Sequence, residues 1–374
     1  MLGETAKEVD RNGGPTSNAP RRGDRRRRGL LALPLLALLG IPAGGVARGQ
    51  SITEFPLAAV GSRPVFLAAG PDGAIWFTEA GANANKIGRI TTQGVITDEL
   101  ATPTPGGFPL EIVVGPDGAL WFTEFNVGKI GRVTTDGAFT EFPLPAADCA
   151  PSGIASGPDG ALWFTEYNAN KIGRITTEGA VTEYPIPTAG SFPRAIVIGP
   201  DGALWFAESV TDQIGRITTA GVIAEFVTPT APSAPHRIAP GPDGALWFTE
   251  EVGNKVGRIT TAGVITDEFP IPTAGGVPFA IVAGPDGALW FTEQSGNKIG
   301  RITTSGSVEE FPVPTAGSTP FGITRGPDGA LWFAEEFGNK IARIMAGPAE
   351  TVPRDPVQPV PHSRRPHVVV RNPS

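Results

Sequence analysis

Within Leu162-Trp163-Phe164-Thr165-Glu166 the apolar side chains fall on both sides of an extended chain, Leu162 and Phe164 pointing one way and Trp163 the other. A strand that is apolar on both faces has to be covered on both. Around it, Pro151 to Ser156 is a short apolar stretch and Pro158-Asp159-Gly160 a turn, with further stretches at Lys171 to Thr176 and Ala180 to Pro185. Together with Ala161 to Glu166 this spacing predicts four strands of about five or six residues joined by turns, an antiparallel meander. The Asp-Gly pair suits a tight hairpin, and Gly179 supplies the same backbone freedom between the third and fourth strands.

The pattern recurs. G-P-D-G-A-L-W-F-T-E or a near copy starts at Gly70, Gly115, Gly157, Gly199, Gly241, Gly284 and Gly326, 42 residues apart except for one 45 and one 43. All seven tryptophans occupy the same slot of the unit. Burying one is worth roughly 4 to 6 kcal/mol at most, a gain no unit keeps alone because one face would stay wet. Units of this length, rich in Gly, Pro and strands, match propeller blades. The seventh unit stops after Lys340-Ile341-Ala342-Arg343-Ile344 without its outer strand, and a stretch of that type, Ile52-Thr53-Glu54-Phe55-Pro56, precedes the first. The expectation is an all-β, seven-bladed β-propeller of four-stranded antiparallel blades over residues 51–344, closed by the N-terminal strand so that no edge stays open.

Composition changes the picture mainly at the ends. Arg25-Arg26-Arg27-Arg28 precedes an apolar run from Leu30 to Val46, which reads as an export signal within residues 1–50, by the general secretory or the twin-arginine route. An uncleaved membrane anchor is the alternative. Residues 345–374, rich in Pro and Arg, read as a disordered tail. The single cysteine, Cys149, cannot form an internal disulfide. Residues 51–344 hold 17 lysines and arginines against 31 aspartates and glutamates. That balance disfavours nucleic acid and suits cationic ligands or divalent metals. With the leader removed, the expected protein is a monomer without a membrane partner.

Three residue sets converge on one face of such a ring. A carboxylate ends each second strand (Glu79, Glu124, Glu166, Glu208, Glu250, Glu293, Glu335), and a lysine opens each third strand except at Gln213. A metal could use the acids, but cross-strand pairing with the lysines and the arginines three residues on accounts for most of them. The third set follows the proline of each inner strand and varies from blade to blade: Val65, Leu110, Ser152, Arg194, His236, Phe279 and Phe321. The next position adds Phe66, Glu111 and Arg237. A slot that varies where the scaffold repeats is where a ligand could be read, so Arg194, Arg237 and Glu111 are candidate binding groups. His236, the one histidine of residues 51–344, titrates near neutrality and is either a functional group or an incidental mouth residue. No nucleophile elbow, phosphate loop, zinc spacing or dinucleotide fingerprint is present.

The repeat P-x-x-I-x-x-G-P-D-G-A-L-W-F-T-E, followed by N-K-I-G-R-I-T-T and I-T-E-F-P-I-P-T, resembles that of the virginiamycin B lyase family over residues 51–344. The resemblance implies a seven-bladed propeller that opens a cyclic depsipeptide, streptogramin B, at its ester by Mg²⁺-dependent elimination. It further implies a base that takes an acidic α-proton while the metal stabilises the developing enolate. The family's histidines follow the inner-strand proline in the last two blades, the second within E-P-H. Those positions here are Phe279 and Phe321, and Thr319 stands where the E-P-H glutamate would be. Glu335 or Glu336 matches the family's remaining glutamate, and His236 has the right local setting one blade early. The leading expectation is therefore an exported, lyase-like propeller that binds a small or peptidic ligand at its axial mouth, with Arg194, Arg237, Glu111, Phe279 and Phe321 lining it. A C–O lyase using His236 as base and Glu250, Glu293 and Glu335 for Mg²⁺ is the enzyme alternative, and a protein-docking scaffold the third.

Overall fold

Residues 50–82 and 84–347 are described by the computed structural model. The leader and the tail lie outside them, apart from Gln50 and residues 345–347. Twenty-eight strands run from Ile52–Pro56 to Lys340–Met345 and form seven four-stranded antiparallel sheets. Six sheets take four consecutive strands each. In the seventh, Ile52–Pro56 pairs with Lys340–Met345, in register from Ile52 opposite Ile344 to Pro56 opposite Lys340. The chain is thus a closed seven-bladed propeller, numbered here by its tryptophans from blade 1 (Trp76) to blade 7 (Trp332).

Seven hydrophobic clusters hold the ring, one at each seam between blades. Trp121 of blade 2 packs with Leu162 and Phe164 of blade 3, and Trp163 of blade 3 with Leu204 and Phe206 of blade 4. The last seam joins Trp332 of blade 7 to Ile75 and Phe77 of blade 1. The alternation along L-W-F-T-E is the cause: Trp faces one neighbour, Leu and Phe the other, and all are buried. Each tryptophan also stacks on an aromatic ring of an outer strand where one is present, as Trp163 on Tyr184 at 5.5 Å and Trp332 on Phe55 at 5.5 Å.

The turn aspartate does more than shape a hairpin. Asp159 Oδ1 accepts from the Trp163 indole Nε1 at 3.0 Å, and Asp159 Oδ2 accepts from Arg174 Nε at 2.7 Å. Its counterparts do the same around the ring, for example Asp286 with Trp290 and Arg301. These hydrogen bonds hold the Asp159 carboxyl below the usual carboxylate range although burial alone would raise it. The third-strand glycine is set by close approach: a Cβ on Gly173 would lie 2.1 Å from the Phe164 ring.

Candidate functional site

The variable slot is held by irregular backbone in every blade. The residue before the inner-strand proline has positive φ, including Phe108 at 56° and Phe192 at 51°, a conformation costly for bulky side chains. The two residues after the proline fall in a register break, as between Pro193 and Ile196 or Pro235 and Ile238. Such a bulge re-aims side chains, here toward the axis. A second-strand threonine then ties the slot of the next blade: Thr123 Oγ1 donates to the Ser152 carbonyl at 2.9 Å, Thr249 to Phe279 at 2.7 Å and Thr292 to Phe321 at 2.7 Å. Blades 4 and 7 carry Ala207 and Ala334 at that position, so the slots of His236 and Val65 lack the tie.

The slots bring together a plug and a polar half. Phe279 and Phe321 lie 4.2 Å apart between ring centroids, Phe66 closes on Phe321 at 5.1 Å, and His236 packs on Phe279 at 3.8 Å. Arg237 crosses the axis to Glu111, its Nη1 donating to Oε2 at 2.6 Å, while its guanidinium lies 4.0 Å above Phe66. Glu111 Oε2 also accepts from the Ile154 amide at 3.2 Å. Burial raises the Glu111 carboxyl despite Arg237 beside it. Arg237 and Glu111 are therefore mutual partners, in contrast to the expectation of two separate ligand contacts.

His236 is 2 % exposed. Arg194 Nη1 lies 3.1 Å from its Nε2, and because a guanidinium can only donate, Nε2 accepts and Nδ1 carries the proton. That Nδ1 has no hydrogen-bond partner. Burial first, then Arg194 and Arg237, push the imidazole well below its ordinary pKa. The ring is neutral, and the one lone pair a base would use is already engaged.

Arg194 faces a groove of about 260 Å³ on the mouth face, lined by Phe108, Leu110, Phe125, Ser152, Tyr167 and Arg194. Its guanidinium stacks 5.0 Å from the Tyr167 ring, and its Nε donates to Ser209 Oγ at 3.2 Å. Phe108, Phe125, Tyr167 and Phe192 form a ladder of rings with centroid spacings of 6.3, 6.0 and 4.9 Å. The sequence reading missed this rim. Its signal was available: the residue before the inner-strand proline and the residue after the second-strand glutamate vary between blades as the slot does, and blades 2 to 4 place these aromatics there.

The seven second-strand glutamates are fully buried, and most share a side-chain hydrogen bond with a glutamate of the outer strand, as Glu166 with Glu183 and Glu250 with Glu268. Glu166 does stand opposite Lys171 in register, but Lys171 Nζ turns outward to Glu183 of the outer strand at 2.5 Å. Lys129, Lys298 and Lys340 choose Glu141, Glu310 and Glu54 in the same way. The expected lysine and arginine pairing is corrected accordingly: the arginines go to the turn aspartates and the lysines to the outer glutamates. An ammonium drawn in beside Glu166 would lose its water, whereas beside Glu183 it keeps some. Burial, reinforced by the outer-strand glutamate, raises Glu124, Glu166 and Glu293 to about 7 and Glu208, Glu250 and Glu335 to about 8.

Glu250, Glu293 and Glu335 sit in three different blades, and among the described residues no three His, Cys, Asp or Glu side chains group to hold a metal. Glu336 is paired with Arg63. With Phe279 and Phe321 in the histidine positions, the residues present do not fit a Mg²⁺ site at the mouth. Cys149 is buried, its thiol pushed up to about 12 mainly by burial.

The description "Virginiamycin B lyase family" belongs to the family model that matches residues 43–202 and 189–374. A streptogramin B lyase structure is 43 % identical over 79 % of this chain and 97 % of its own, with a TM-score of 0.75. A virginiamycin B lyase from Staphylococcus aureus, a catalytically inactive variant crystallised with quinupristin, is 44 % identical over 79 % and 99 %, also at 0.75. The WD40 propeller of Doa1, at 11 % identity and a TM-score of 0.65 over 80 % and 98 %, shares the fold alone. No curated protein matches.

Proposed function

Because the chain belongs to the virginiamycin B lyase family, we propose that it keeps the family's ligand-binding mouth and has lost the elimination chemistry. It is an exported binding propeller that holds a small or peptidic ligand against Arg194 and the aromatic rim. One observation carries the reading: the two slots where the resemblance puts histidines hold Phe279 and Phe321, packed at 4.2 Å into an apolar plug. Phenylalanine neither takes a proton nor binds a metal. His236 does not replace them, since Arg194 occupies its lone pair.

The groove supports recognition by stacking and by hydrogen bonds to carbonyls. Tyr167 and Phe125 offer π faces, and Arg194 and Ser152 offer donors beside them. A cyclic depsipeptide with aromatic side chains has that complement of groups, and quinupristin is the bound molecule in the S. aureus relative. Isothermal titration of the protein with quinupristin tests the reading. The expected result is binding unaffected by EDTA and weakened about tenfold or more by Arg194→Ala. Binding that needs Mg²⁺, or that is indifferent to Arg194→Ala, contradicts it.

A further inference from the structure

The other end of the axis carries a second cavity. It encloses about 500 Å³ and is lined by the inner strands of all seven blades, from Phe66, Glu111 and Arg237 to residues such as Ile198, Pro240 and Ala283 at the strand ends. It shares no lining residue with the mouth groove. The volume is in the range of small-molecule sites. From Arg237 to Pro240 the wall is about 10 Å long at about 3.3 Å per residue.

Its inner end is charged and its walls are mostly apolar. Arg237 is 5 % exposed. One arm of its guanidinium is fixed on Glu111, but its buried Nε has no acceptor. An unpaired buried donor is unfavourable, and an occupant that brings an oxygen to it removes that penalty. Glu111 cancels the charge of Arg237, so an anionic head would meet a carboxylate without a free cation to answer it. A neutral acceptor meets no such repulsion. The walls are mostly aliphatic, Val114, Val197, Ala239 and Val282 among them; their polar side chains are Thr324 and Ser156, the latter's hydroxyl donating to the Val114 carbonyl at 2.6 Å.

We infer that this channel is a ligand site separate from the mouth, taking an uncharged amphiphile: an apolar chain with an amide or hydroxyl head whose oxygen accepts from Arg237 Nε. The apolar chain displaces channel water and the head completes the buried guanidinium.

Titration of the full chain with octanamide, followed by calorimetry, tests it, with octanoate and octane-1-sulfonate as anionic comparisons. Octanamide binds one per chain and at least tenfold more tightly than either anion. Arg237→Met lowers octanamide affinity at least tenfold. If Arg237→Met does not fold, Ala283→Trp still decides, because it fills the channel near its open end without touching the buried pair and abolishes binding. No binding of octanamide to the wild-type chain, as for a channel that holds only water, overturns the proposal. So does binding that survives Ala283→Trp, or a preference for the anions.

Discussion

Glutamate 166 states the residue-scale problem: a carboxyl group with no exposed surface, set against Glu183, which is both its charged neighbour and its side-chain hydrogen-bond partner. It is raised from 4.5 to about 7, chiefly by burial. Folding therefore binds a proton that the unfolded chain has lost, and stability declines as pH rises from the unfolded value near 4.5 to the folded value near 7. Glu208, Glu250 and Glu335, at about 8, extend the decline to that pH. The turn aspartates act oppositely: they lie below 3.8, so their contribution is present above that pH and lost as acid protonates them. Thermal midpoints measured across pH should peak near pH 5 and fall toward pH 8. Glu166→Gln, which keeps shape and removes the titration, should raise the midpoint at pH 8 by on the order of 2 °C and leave it unchanged at pH 5. Equal shifts at both pH values would mean that Glu166 is already ionised in the fold.

At the scale of the strand, the N-terminal segment is the piece whose removal is most informative. Phe55 stacks on Trp332, and Glu54 accepts from Lys340 Nζ at 2.6 Å and from the Thr315 amide at 2.9 Å, so one short strand completes blade 7 and ties the loop that follows blade 6. Deleting Ile52–Pro56 should lower the thermal midpoint by at least 10 °C, on the order of several kcal/mol from the half-buried Phe55 and the charged hydrogen bonds together. A synthetic peptide Ser-Ile-Thr-Glu-Phe-Pro-Leu should restore part of it, and a deletion without effect on the midpoint would mean the ring does not depend on this closure. The strands and the closure were legible because L-W-F-T-E and N-K-I-G-R-I repeat with their apolar alternation intact, so each copy corroborates the others. Side-chain partners were not. Lys171 stands opposite Glu166 yet bonds Glu183, because a flexible chain trades register for solvation. Arg237 and Glu111 are 126 residues apart, and only ring closure brings them together.

For the molecule as a whole, the repeat supplies a rigid circle and the irregular positions supply its chemistry. The axis is divided by one layer: Phe66, Phe279, Phe321 and the Arg237–Glu111 pair separate a mouth groove from a deeper apolar channel. The candidate site was half legible, since variation at the slot singled out Arg194, His236, Phe279 and Phe321. The aromatic rim escaped notice because Phe108, Phe125 and Tyr167 lie at neighbouring positions that look like turn and strand-end filler until the axis gathers them. Conversion of a streptogramin B in the presence of Mg²⁺ tests the central claim, read as chromatographic retention because ring opening by elimination leaves the mass unchanged. The account predicts that the cyclic compound is recovered intact after prolonged incubation with stoichiometric protein. Appearance of the linear product, abolished by His236→Ala, would contradict it.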